Sequence, residues 1–383
     1  MKIDADWLTS NATQSAFAIL RDAGHLVFAV GGCVRNALLN EPVRDIDLST
    51  DAHPETVMQL AEAAGLRAVP TGIEHGTVTV VVHDEQYEIT TFRRDVETDG
   101  RRAVVAFSDR MEDDALRRDF TMNALYADAA GLVHDPVGGL ADLQARRIRF
   151  IEDADRRIQE DYLRTLRYFR FNAWYGDSAS GYDPDALDAI ARNLDGLERL
   201  SRERVGSEMK RLLEAPDPTA AVAIMRTTGV LTRILPGADD TALGPLIALE
   251  NGMQPNPIRR LAVLGGESVS DHLRLSRQEA SELERLRGAI GQEPATLGYR
   301  LGATHGLDAY LLTAALTGTG PVSPSAVAEI KAGAQQVFSV TAADLMPSLQ
   351  GPKLGAALKT LEQDWIDSGF VLGKDELIER LRG

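Results

Sequence analysis

Two short segments near the N-terminus combine residues suited to binding phosphates and a metal ion. Gly31-Gly32 and Arg35 follow a short apolar stretch, and Asp45 and Asp47 come soon after. Paired glycines let a backbone approach a ligand closely, and the free N–H groups at the start of a following helix favour an anion such as a triphosphate. Alternation along a strand turns both aspartates to one face, where their carboxylates need a cation such as Mg²⁺ between them. The combination predicts nucleotidyl transfer.

Each segment taken alone has a simpler explanation. A Gly-Gly pair is usually a turn, and an Asp-x-Asp pair usually lies on a solvated strand edge. In this order and spacing, the two segments resemble the DNA polymerase β-like nucleotidyltransferase superfamily. Glu88, flanked by apolar and β-branched residues, could complete a metal shell or accept the proton of an attacking hydroxyl. Its own segment is better explained by a surface glutamate.

Two later segments carry residues suited to binding a nucleotide. Arg118 and Asp119 are adjacent, so the carboxylate could accept a hydrogen bond from a ribose hydroxyl while the guanidinium holds it or a phosphate. Asp161 and Arg164 lie in an amphipathic segment at a spacing that shares one helix face. Such a pair offers an acceptor and several donors to the pairing edge of a base. The alternatives are a helix cap for the first pair and an ordinary intrahelical ion pair for the second.

These residues must be positioned by a mixed α/β region. Short apolar or alternating runs predict strands, and helical periodicity ending at Pro or Gly predicts helices. The predicted strands cover residues 26–30, 45–49, 77–82, 87–91 and 124–127, and the predicted helices cover 6–23, 33–39 and 54–64. The third and fourth strands should form a hairpin, and residues 98–102 should form an exposed polar loop.

Beyond residue 140 helical periodicity dominates, with interruptions at proline and glycine. We therefore predict an α+β protein: an N-terminal polymerase β-like nucleotidyltransferase head, with a mixed sheet and helices, followed by an all-helical neck, body and tail. The predicted boundaries are 1–140 for the head, 141–215 for the neck, 216–320 for the body and 321–383 for the tail, with a linker at 318–324.

Composition restricts the class of protein. The 383 residues suffice for more than one domain, and 44% hydrophobic with 26% charged residues is typical of a soluble globular protein. The single cysteine excludes an intramolecular disulfide and a cysteine-rich zinc site. No apolar run approaches a membrane span and the N-terminus lacks a signal-peptide pattern, so we expect a cytoplasmic protein. A net charge of −16 is unusual for a nucleic-acid-binding protein, but arginines concentrated between residues 117 and 204 could form a local basic groove.

An ordered set of motifs is similar to the class II CCA-adding tRNA nucleotidyltransferases, a family that includes bacterial poly(A) polymerase. The motifs are Gly31-Gly32-x-Val34-Arg35, Asp45-x-Asp47, Glu88-x-Thr90-Thr91-Phe92-Arg93, Arg117-Arg118-Asp119-Phe120-Thr121-x-Asn123-Ala124-Leu125 and Glu160-Asp161-x-x-Arg164-x-x-Arg167. Later landmarks of the family follow in the same order, at Asp135-Pro136-x-Gly138-Gly139 and Ser201-x-Glu203-Arg204. The resemblance is dense from residue 26 to about residue 213 and loose beyond it.

The resemblance implies template-independent addition of CCA to tRNA from CTP and ATP, with release of pyrophosphate. It implies that Asp45 and Asp47 hold two Mg²⁺ and act in catalysis together with Glu88. The residues that it implies for nucleotide binding are Gly31, Gly32, Arg35, Arg118, Asp119, Asn123, Asp161, Arg164 and Arg167. Of these, Asp161 and Arg164 would select the base. Residues 93–107 would form the flexible loop needed for the switch to A addition. The head at 1–140 would be catalytic, the neck at 141–215 would select the base, and the helical remainder, including the tail at 321–383, would bind tRNA.

Several alternatives stay open. A poly(A) polymerase or A-adding enzyme of the same family would share the catalytic residues. A non-catalytic RNA-binding protein would have no need of Asp45 and Asp47, and a small-molecule nucleotidyltransferase would have no need of the helical remainder. Asn36 stands where the family usually has aspartate, so we expect different local support with catalysis retained. The sequence does not predict the oligomeric state.

Overall fold

A mixed sheet with surrounding helices forms the N-terminal part of the chain, and the rest is helical. The computed structural model describes residues 1–99, 102–177, 179–346 and 348–381. The chain divides into two units, Met1–Pro236 and Gly237–Gly383. The α+β class is therefore confirmed, whereas the finer boundaries at 140, 215 and 320 stay predictions.

The strands all lie in the first unit as far as the structure describes it. They are β1 (Val27–Val30), β2 (Ile46–Thr50), β3 (Arg67–Gly72), β4 (Thr77–Val82), β5 (Glu85–Thr91), β6 (Arg93–Asp99), β7 (Arg102–Phe107), β8 (Tyr126–Ala127) and β9 (Val133–His134). Seven strands form one sheet in the order β3-β4-β5-β2-β1-β8-β9, and β6 pairs with β7 separately. Within the seven-stranded sheet, β2 and β5 pair in parallel and the other neighbours are antiparallel. The parallel register sets Asp47 directly beside Glu88.

The centre of this sheet is firmly held because its strands are apolar. All four residues of β1 are buried, and Phe28 of β1 packs against Phe92 and Tyr126 in one cluster. Burial of each such aromatic side chain contributes about 2 kcal/mol to the free energy of unfolding. The end of β1, which leads into Gly31, is therefore anchored by the core.

Twelve helices belong to the described residues of the first unit. They are α1 (Asp6–Thr9), α2 (Asn11–Arg21), α3 (Gly32–Leu39), α4 (Pro54–Ala63), α5 (Met111–Leu116), α6 (Gly139–Gln144), α7 (Ala154–Glu160), α8 (Leu163–Tyr175), α9 (Pro184–Arg192), α10 (Arg202–Leu213), α11 (Thr219–Thr227) and α12 (Val230–Ile234). Side-chain caps define several starts: Asp153 accepts from the Arg156 N–H at α7, and Ser201 accepts from the Arg204 N–H at α10.

Three predictions about these elements were wrong in part. The helix expected over 6–23 is two helices, because Ser10 has an extended backbone and its hydroxyl caps α2 through the Thr13 N–H. The segment 93–107, expected as a loop, forms β6 and β7; of the predicted polar loop at 98–102, residues 100 and 101 lie outside the described residues. The segment from Glu160 to Phe171, expected as one helix, breaks at Asp161, whose φ and ψ of −152° and 103° are extended.

The second unit is helical throughout the residues that the structure describes. Its helices are α13 (Leu243–Glu250), α14 (Pro257–Leu264), α15 (Val269–His272), α16 (Arg277–Gly288), α17 (Pro294–Thr317), α18 (Pro324–Gly333), α19 (Ala342–Leu345), α20 (Gly351–Asp367) and α21 (Lys374–Arg380). The predicted linker at 318–324 falls between α17 and α18. Trp365 packs edge-on against Tyr299 and Phe370 in a C-terminal aromatic cluster. None of the helices described here is long and apolar enough to cross a bilayer.

Helices α17 and α18 touch through glycines. A Cβ built on Gly298 would lie 1.9 Å from the Ile330 carbonyl oxygen, and one on Gly333 would lie 1.9 Å from the Ala295 carbonyl oxygen. No side chain fits at such distances, so the two backbones are in direct contact. This close contact explains why helical propensity alone does not decide the residue type at these positions.

Gly298→Ala should destabilise the protein by about 3 kcal/mol, because the added methyl group must push two backbones apart. Thermal unfolding followed by circular dichroism at 222 nm measures the effect. Gly355→Ala is the matched control: Gly355 lies inside α20, and an added methyl group would have nothing within 4 Å of it, so the same change should raise stability by about 0.5–1 kcal/mol. Equal effects of the two substitutions would contradict the packing argument.

Candidate active site

The turn that follows β1 requires glycine. Gly31 has φ and ψ of 72° and −117°, a backbone conformation that side chains disfavour. A Cβ on Gly31 would also lie 3.3 Å from Nη1 of Arg118. Gly32 then begins α3, whose first N–H groups point toward the turn. The backbone conformation at Gly31 and the helix start at Gly32 are compatible with the predicted phosphate site, which stays a prediction.

Three carboxylates influence one another beside this turn. Asp47 lies opposite Glu88 in the parallel register of β2 and β5, and Asp45 immediately precedes β2. Asp47 is exposed, but partial desolvation of its carboxylate by the surrounding protein, followed by repulsion from Glu88 and Asp45, raises the pKa of Asp47 to about 6, against the attraction of Arg118. Oxygen donors that repel one another suit a hard divalent cation such as Mg²⁺. Across the described residues, no group of three or more His, Cys, Asp or Glu side chains is close enough to hold a metal ion.

Arg35 is buried, and each of its three guanidinium nitrogens donates at least one hydrogen bond. Its Nε and Nη2 atoms donate to Oδ1 of Asn36 at 3.1 and 2.8 Å, Nη1 donates to Oδ1 of Asn123 at 2.6 Å, and Nη2 also donates to the Tyr175 hydroxyl at 2.9 Å. The guanidinium carbon lies 4.1 Å from the centre of the Tyr175 ring, which is cation–π distance. Arg35 therefore holds Asn123 and Tyr175 in place, and its contact with a phosphate stays a prediction.

Asn36 uses both ends of its amide. Its oxygen accepts from Arg35, and its Nδ2 donates to the Pro42 carbonyl at 2.8 Å. An aspartate could accept from Arg35 but could not donate to Pro42. The departure from the family pattern therefore ties α3 to the loop that leads into Asp45.

A chain of hydrogen bonds continues from Arg35 through the next motif. Asn123, which accepts from Arg35, donates from Nδ2 to Oδ1 of Asp119 at 2.9 Å. Nε of Arg167 on α8 donates to Oδ2 of the same carboxylate at 2.7 Å. Burial would raise the pKa of Asp119, but Arg167 and Asn123 outweigh it and hold that pKa well below its usual range. Four of the predicted site residues therefore form one network: Arg35, Asn123, Asp119 and Arg167.

Arg118 is fixed by a residue that sequence reasoning missed. Asp114 on α5 is fully buried and accepts from Nη2 and Nε of Arg118 at 2.9 and 3.2 Å, and it also accepts from the Tyr126 hydroxyl at 2.8 Å. Nη1 of Arg118 lies at the Gly31 turn. The spacing of four between Asp114 and Arg118 is the sequence signal for this pair.

Asp161 and Arg164 do not pair with each other, contrary to the shared-face prediction. Oδ2 of Asp161 accepts from Nη2 of Arg204 at 2.7 Å, and its Oδ1 accepts from the Leu163 N–H at 3.1 Å. Arg164 instead donates from Nη1 to Glu160 at 2.7 Å and from Nη2 to a backbone carbonyl on the preceding motif at 3.0 Å. The break in the helix at Asp161 separates the two faces. Glu160 and Arg204 are further residues that the sequence argument did not assign.

Two cavities in the first unit contain most of the predicted site residues. The smaller, of about 300 Å³, is lined by Arg117, Arg118, Asp119, Asp161, Leu163, Arg164, Arg167 and Arg204. The larger, of about 570 Å³, includes Gly32, Arg35, Asp45 and Asp47. Gly31, Glu88 and Asn123 line neither cavity and act from beside them. The structure thus separates an arginine-rich chamber from a chamber that holds both aspartates.

The later landmark at Asp135 and Gly139 positions α6 against the segment that carries Asn123. Oδ1 of Asp135 accepts from the Gly139 N–H at 2.7 Å at the start of α6. A Cβ on Gly139 would lie 2.1 Å from the Thr121 carbonyl oxygen. The close approach packs α6 against the turn that carries Asn123, so this landmark is structural.

Comparison with known proteins gives a consistent result. Residues 27–149 match the family model described as the poly A polymerase head domain, and residues 182–241 match one described as the probable RNA and SrmB-binding site of polymerase A. Mitochondrial CCA tRNA nucleotidyltransferase 1 of Mus musculus is 31% identical over an alignment of 404 residues, gaps included. The alignment covers 98% of this chain and 91% of the mouse protein. The CCA-adding enzyme of Geobacillus stearothermophilus is 38% identical over 220 residues, 57% of this chain and 52% of that protein.

A solved structure resembles the whole chain. The crystal structure of the Bacillus stearothermophilus CCA-adding enzyme in complex with CTP has a TM-score of 0.77 and 28% sequence identity, and the match covers 97% of each chain. The similarity therefore extends through both units and is not limited to the sheet.

Proposed function

Because the chain belongs to the family of CCA-adding tRNA nucleotidyltransferases, we propose that it adds CCA to the 3′ end of tRNA from CTP and ATP and releases pyrophosphate. The observation that carries the proposal is similarity to such an enzyme over 98% of the chain, together with Asp45 and Asp47 beside a glycine turn. In each addition the RNA 3′ oxygen forms a bond to the α-phosphate of the nucleotide, and the bond from that phosphate to pyrophosphate breaks.

Backbone N–H groups and arginines would hold the triphosphate. Gly31 and Gly32 leave the start of α3 open to an anion, and Nη1 of Arg118 lies at the same turn. Arg35 would contribute mainly by orienting Asn123 and Tyr175, since its donors are engaged with neighbouring side chains. The two arginines differ at Nη1, which lies at the Gly31 turn in Arg118 and donates to Asn123 in Arg35.

Asp45 and Asp47 would hold two Mg²⁺, with Glu88 as the third carboxylate. Desolvation and then repulsion by Glu88 and Asp45 raise the pKa of Asp47, which supports this role because a bound cation offsets both effects. Magnesium, when bound, would favour deprotonation of the RNA hydroxyl and offset charge on the departing pyrophosphate. A Glu88 carboxylate oxygen is also suited to accept the proton of that hydroxyl.

The arginine-rich cavity would receive the base of the incoming nucleotide, with Asp161 and Arg164 selecting it. Both residues line the cavity although they do not pair with each other. Asp161 is oriented by Arg204, and Arg164 is oriented by Glu160. Each therefore presents a fixed acceptor or donor edge to a base, which is what selection without a template requires.

Arg164→Ala should lower kcat/KM for CTP by about 100-fold and weaken discrimination against UTP and GTP, because a site that loses a hydrogen-bonding donor loses preference for the matching edge. Single-nucleotide incorporation with each of the four triphosphates measures both effects. Arg156→Ala is the control, since Arg156 also contacts Glu160, at 3.3 Å, but is 66% exposed. Unchanged discrimination in Arg164→Ala would remove Arg164 from base selection.

The direct test incubates the protein and Mg²⁺ with a tRNA that ends before its CCA. CTP alone, ATP alone and both together are supplied, and the 3′ ends are sequenced. Addition of C-C-A followed by a stop is the expected result. No incorporation under any of these conditions would overturn the proposal.

A poly(A) polymerase or A-adding enzyme of the same family is the second candidate. The match of residues 27–149 to a poly A polymerase head domain favours it. The two activities use the same chemistry, so the catalytic residues do not distinguish them. Long A tails, or A added only to RNA that already ends in CC, would identify this alternative. A non-catalytic RNA-binding role would predict binding of tRNA without incorporation.

We also propose the finer organisation and location. The head, neck, body and tail would span 1–140, 141–215, 216–320 and 321–383, with the tail contacting tRNA; limited proteolysis with and without tRNA tests these limits. A cytoplasmic location suits a protein with a single cysteine. The mammalian relatives are named as mitochondrial proteins, so fractionation of the source cells decides between the two compartments.

A further inference from the structure

The larger cavity contains a feature that base selection and metal binding leave unexplained. Trp174, near the end of α8, lines this cavity together with Asp45 and Asp47, and it is 39% exposed. Its Nε1 donates to the Arg211 carbonyl oxygen on α10 at 2.7 Å. One edge of the indole is thus fixed while a large part of its apolar surface faces solvent. An exposed tryptophan whose orientation is fixed in this way suits stacking against a flat partner.

The charge around the cavity fits a phosphate-bearing partner. Arg44, Arg170 and Arg211 line it beside Trp174. Arginine and acidic side chains are equal in number on its wall, and two of the acidic ones are the aspartates that would bind magnesium. With metal bound, the wall therefore becomes net positive. Aromatic rings interleaved with arginines are the usual means of holding single-stranded nucleic acid.

The incoming nucleotide and the 3′ end of the RNA must both reach Asp45 and Asp47, and the two cavities offer a separate place for each. Asp161 and Arg164 line the smaller cavity, and Trp174 lines only the larger one. If the base of the incoming nucleotide occupies the smaller cavity, the RNA end must approach the aspartates from the larger. This step rests on the proposed function.

The successive additions also explain why an aromatic surface is needed there. The last base of the RNA changes after every addition, so a site that read its hydrogen-bonding edge would reject some of its own products. Stacking accepts any base, because every base has a flat face. A tryptophan beside the catalytic aspartates meets this requirement.

We propose that Trp174 is the stacking platform for the 3′-terminal base of the RNA that is being extended, with the exposed Arg211 beside it as a phosphate contact and with Arg170 held by Glu208. Trp174 contacts the acceptor RNA and has no role in binding the base of CTP or ATP. Its loss therefore weakens binding of RNA and leaves selection of the nucleotide to Asp161 and Arg164.

The test compares two acceptor-stem RNAs that end in CC, of which one has an abasic last nucleotide. In the wild type, removal of that base should raise KM for RNA about 10-fold. Trp174→Ala should raise KM for the normal RNA by a similar factor, and the abasic change should then have no further effect. Trp174→Phe keeps a ring but loses the hydrogen bond to Arg211, so it should retain most of the preference for the intact base.

Intrinsic fluorescence gives a second readout that does not depend on turnover. The chain has three tryptophans, and stacking on a base should quench Trp174. Titration with RNA should quench the wild type and a Trp7→Phe control, but not Trp174→Phe. An abasic penalty of equal size in wild type and Trp174→Ala would overturn the proposal, and so would quenching of Trp174 by CTP but not by RNA. Normal CCA addition with either result would leave the proposed function intact and reject only the stacking role.

Discussion

Asp47→Asn should leave the protein folded and lower kcat for nucleotide addition by about 10³-fold. Loss of one metal-binding carboxylate removes several kcal/mol of transition-state stabilisation. The fold should not suffer, because partial desolvation and then repulsion by Glu88 and Asp45 raise the pKa of Asp47 to about 6, so its charged form is disfavoured in the folded protein. A neutral amide of the same shape removes that repulsion, so Tm should stay constant or rise while activity is lost.

Single-turnover incorporation of CTP and thermal unfolding, both on purified protein, measure this pair of effects. Asp22→Asn serves as the control, since Asp22 is 69% exposed and forms its ion pair with its exposed neighbour Arg21. That substitution should change neither quantity appreciably. Activity of Asp47→Asn within about tenfold of wild type would contradict the metal-binding role.

The second large effect is expected at Asp119. Its Oδ1 accepts from the Phe120 N–H and from Asn123, and its Oδ2 accepts from Nε and Nη2 of Arg167. Asparagine has one oxygen and one NH₂ group in place of two oxygens, so whichever way the amide turns, a donor faces donors. Asp119→Asn should therefore lower the free energy of unfolding by about 3 kcal/mol and raise KM for nucleotides.

Thermal unfolding and nucleotide titration check the expectation at Asp119. Asp195→Asn is the matched control, because Asp195 also pairs with an arginine but is 95% exposed, and exposed pairs contribute little. A Tm for Asp119→Asn within about 2 °C of wild type would show that the network can rearrange around the change.

The lowered pKa of Asp119 predicts how the free energy of unfolding changes at low pH. Its pKa in the folded protein is well below that of the unfolded chain, because Arg167 and Asn123 favour the charged form more than burial opposes it. The stabilisation is therefore fully present above the unfolded-state pKa of about 3.9 and is lost as pH falls through the lower folded-state value. Wild type should lose stability in that range more steeply than Asp119→Asn.

Strong local patterns explain which elements the sequence predicted. Strands β1, β2, β4 and β5 were recognised because each has a run of apolar or β-branched residues, and their pairing brings Glu88 beside Asp47. Strand β3 was missed because it contains Pro70, which a strand tolerates at the sheet edge where β3 lies. The sequence of a single segment does not show whether its strand lies at the edge of a sheet, because that depends on the tertiary structure.

The roles of the predicted site residues stay predictions, but the structure shows how those residues are arranged. The motif residues gather around two cavities, but the partners that orient them come from distant segments: Tyr175 for Arg35 and Arg204 for Asp161. Helical periodicity continued across Asp161, so the break there could not be seen from local pattern. It becomes understandable only when the bond from Arg204 and the cap on Leu163 are known.

The network that joins Arg35, Asn123, Asp119 and Arg167 has a consequence for recombining related enzymes. Its members come from α3, from the turn before β8 and from α8, so a crossover near residue 140 would take three of them from one parent and the fourth from the other. Such a chimaera would keep the network only if both parents have an arginine at the α8 position in the same orientation. The border between the sheet and the helices is therefore a poor crossover site, because the hydrogen bonds around Asp119 join residues from both sides of it.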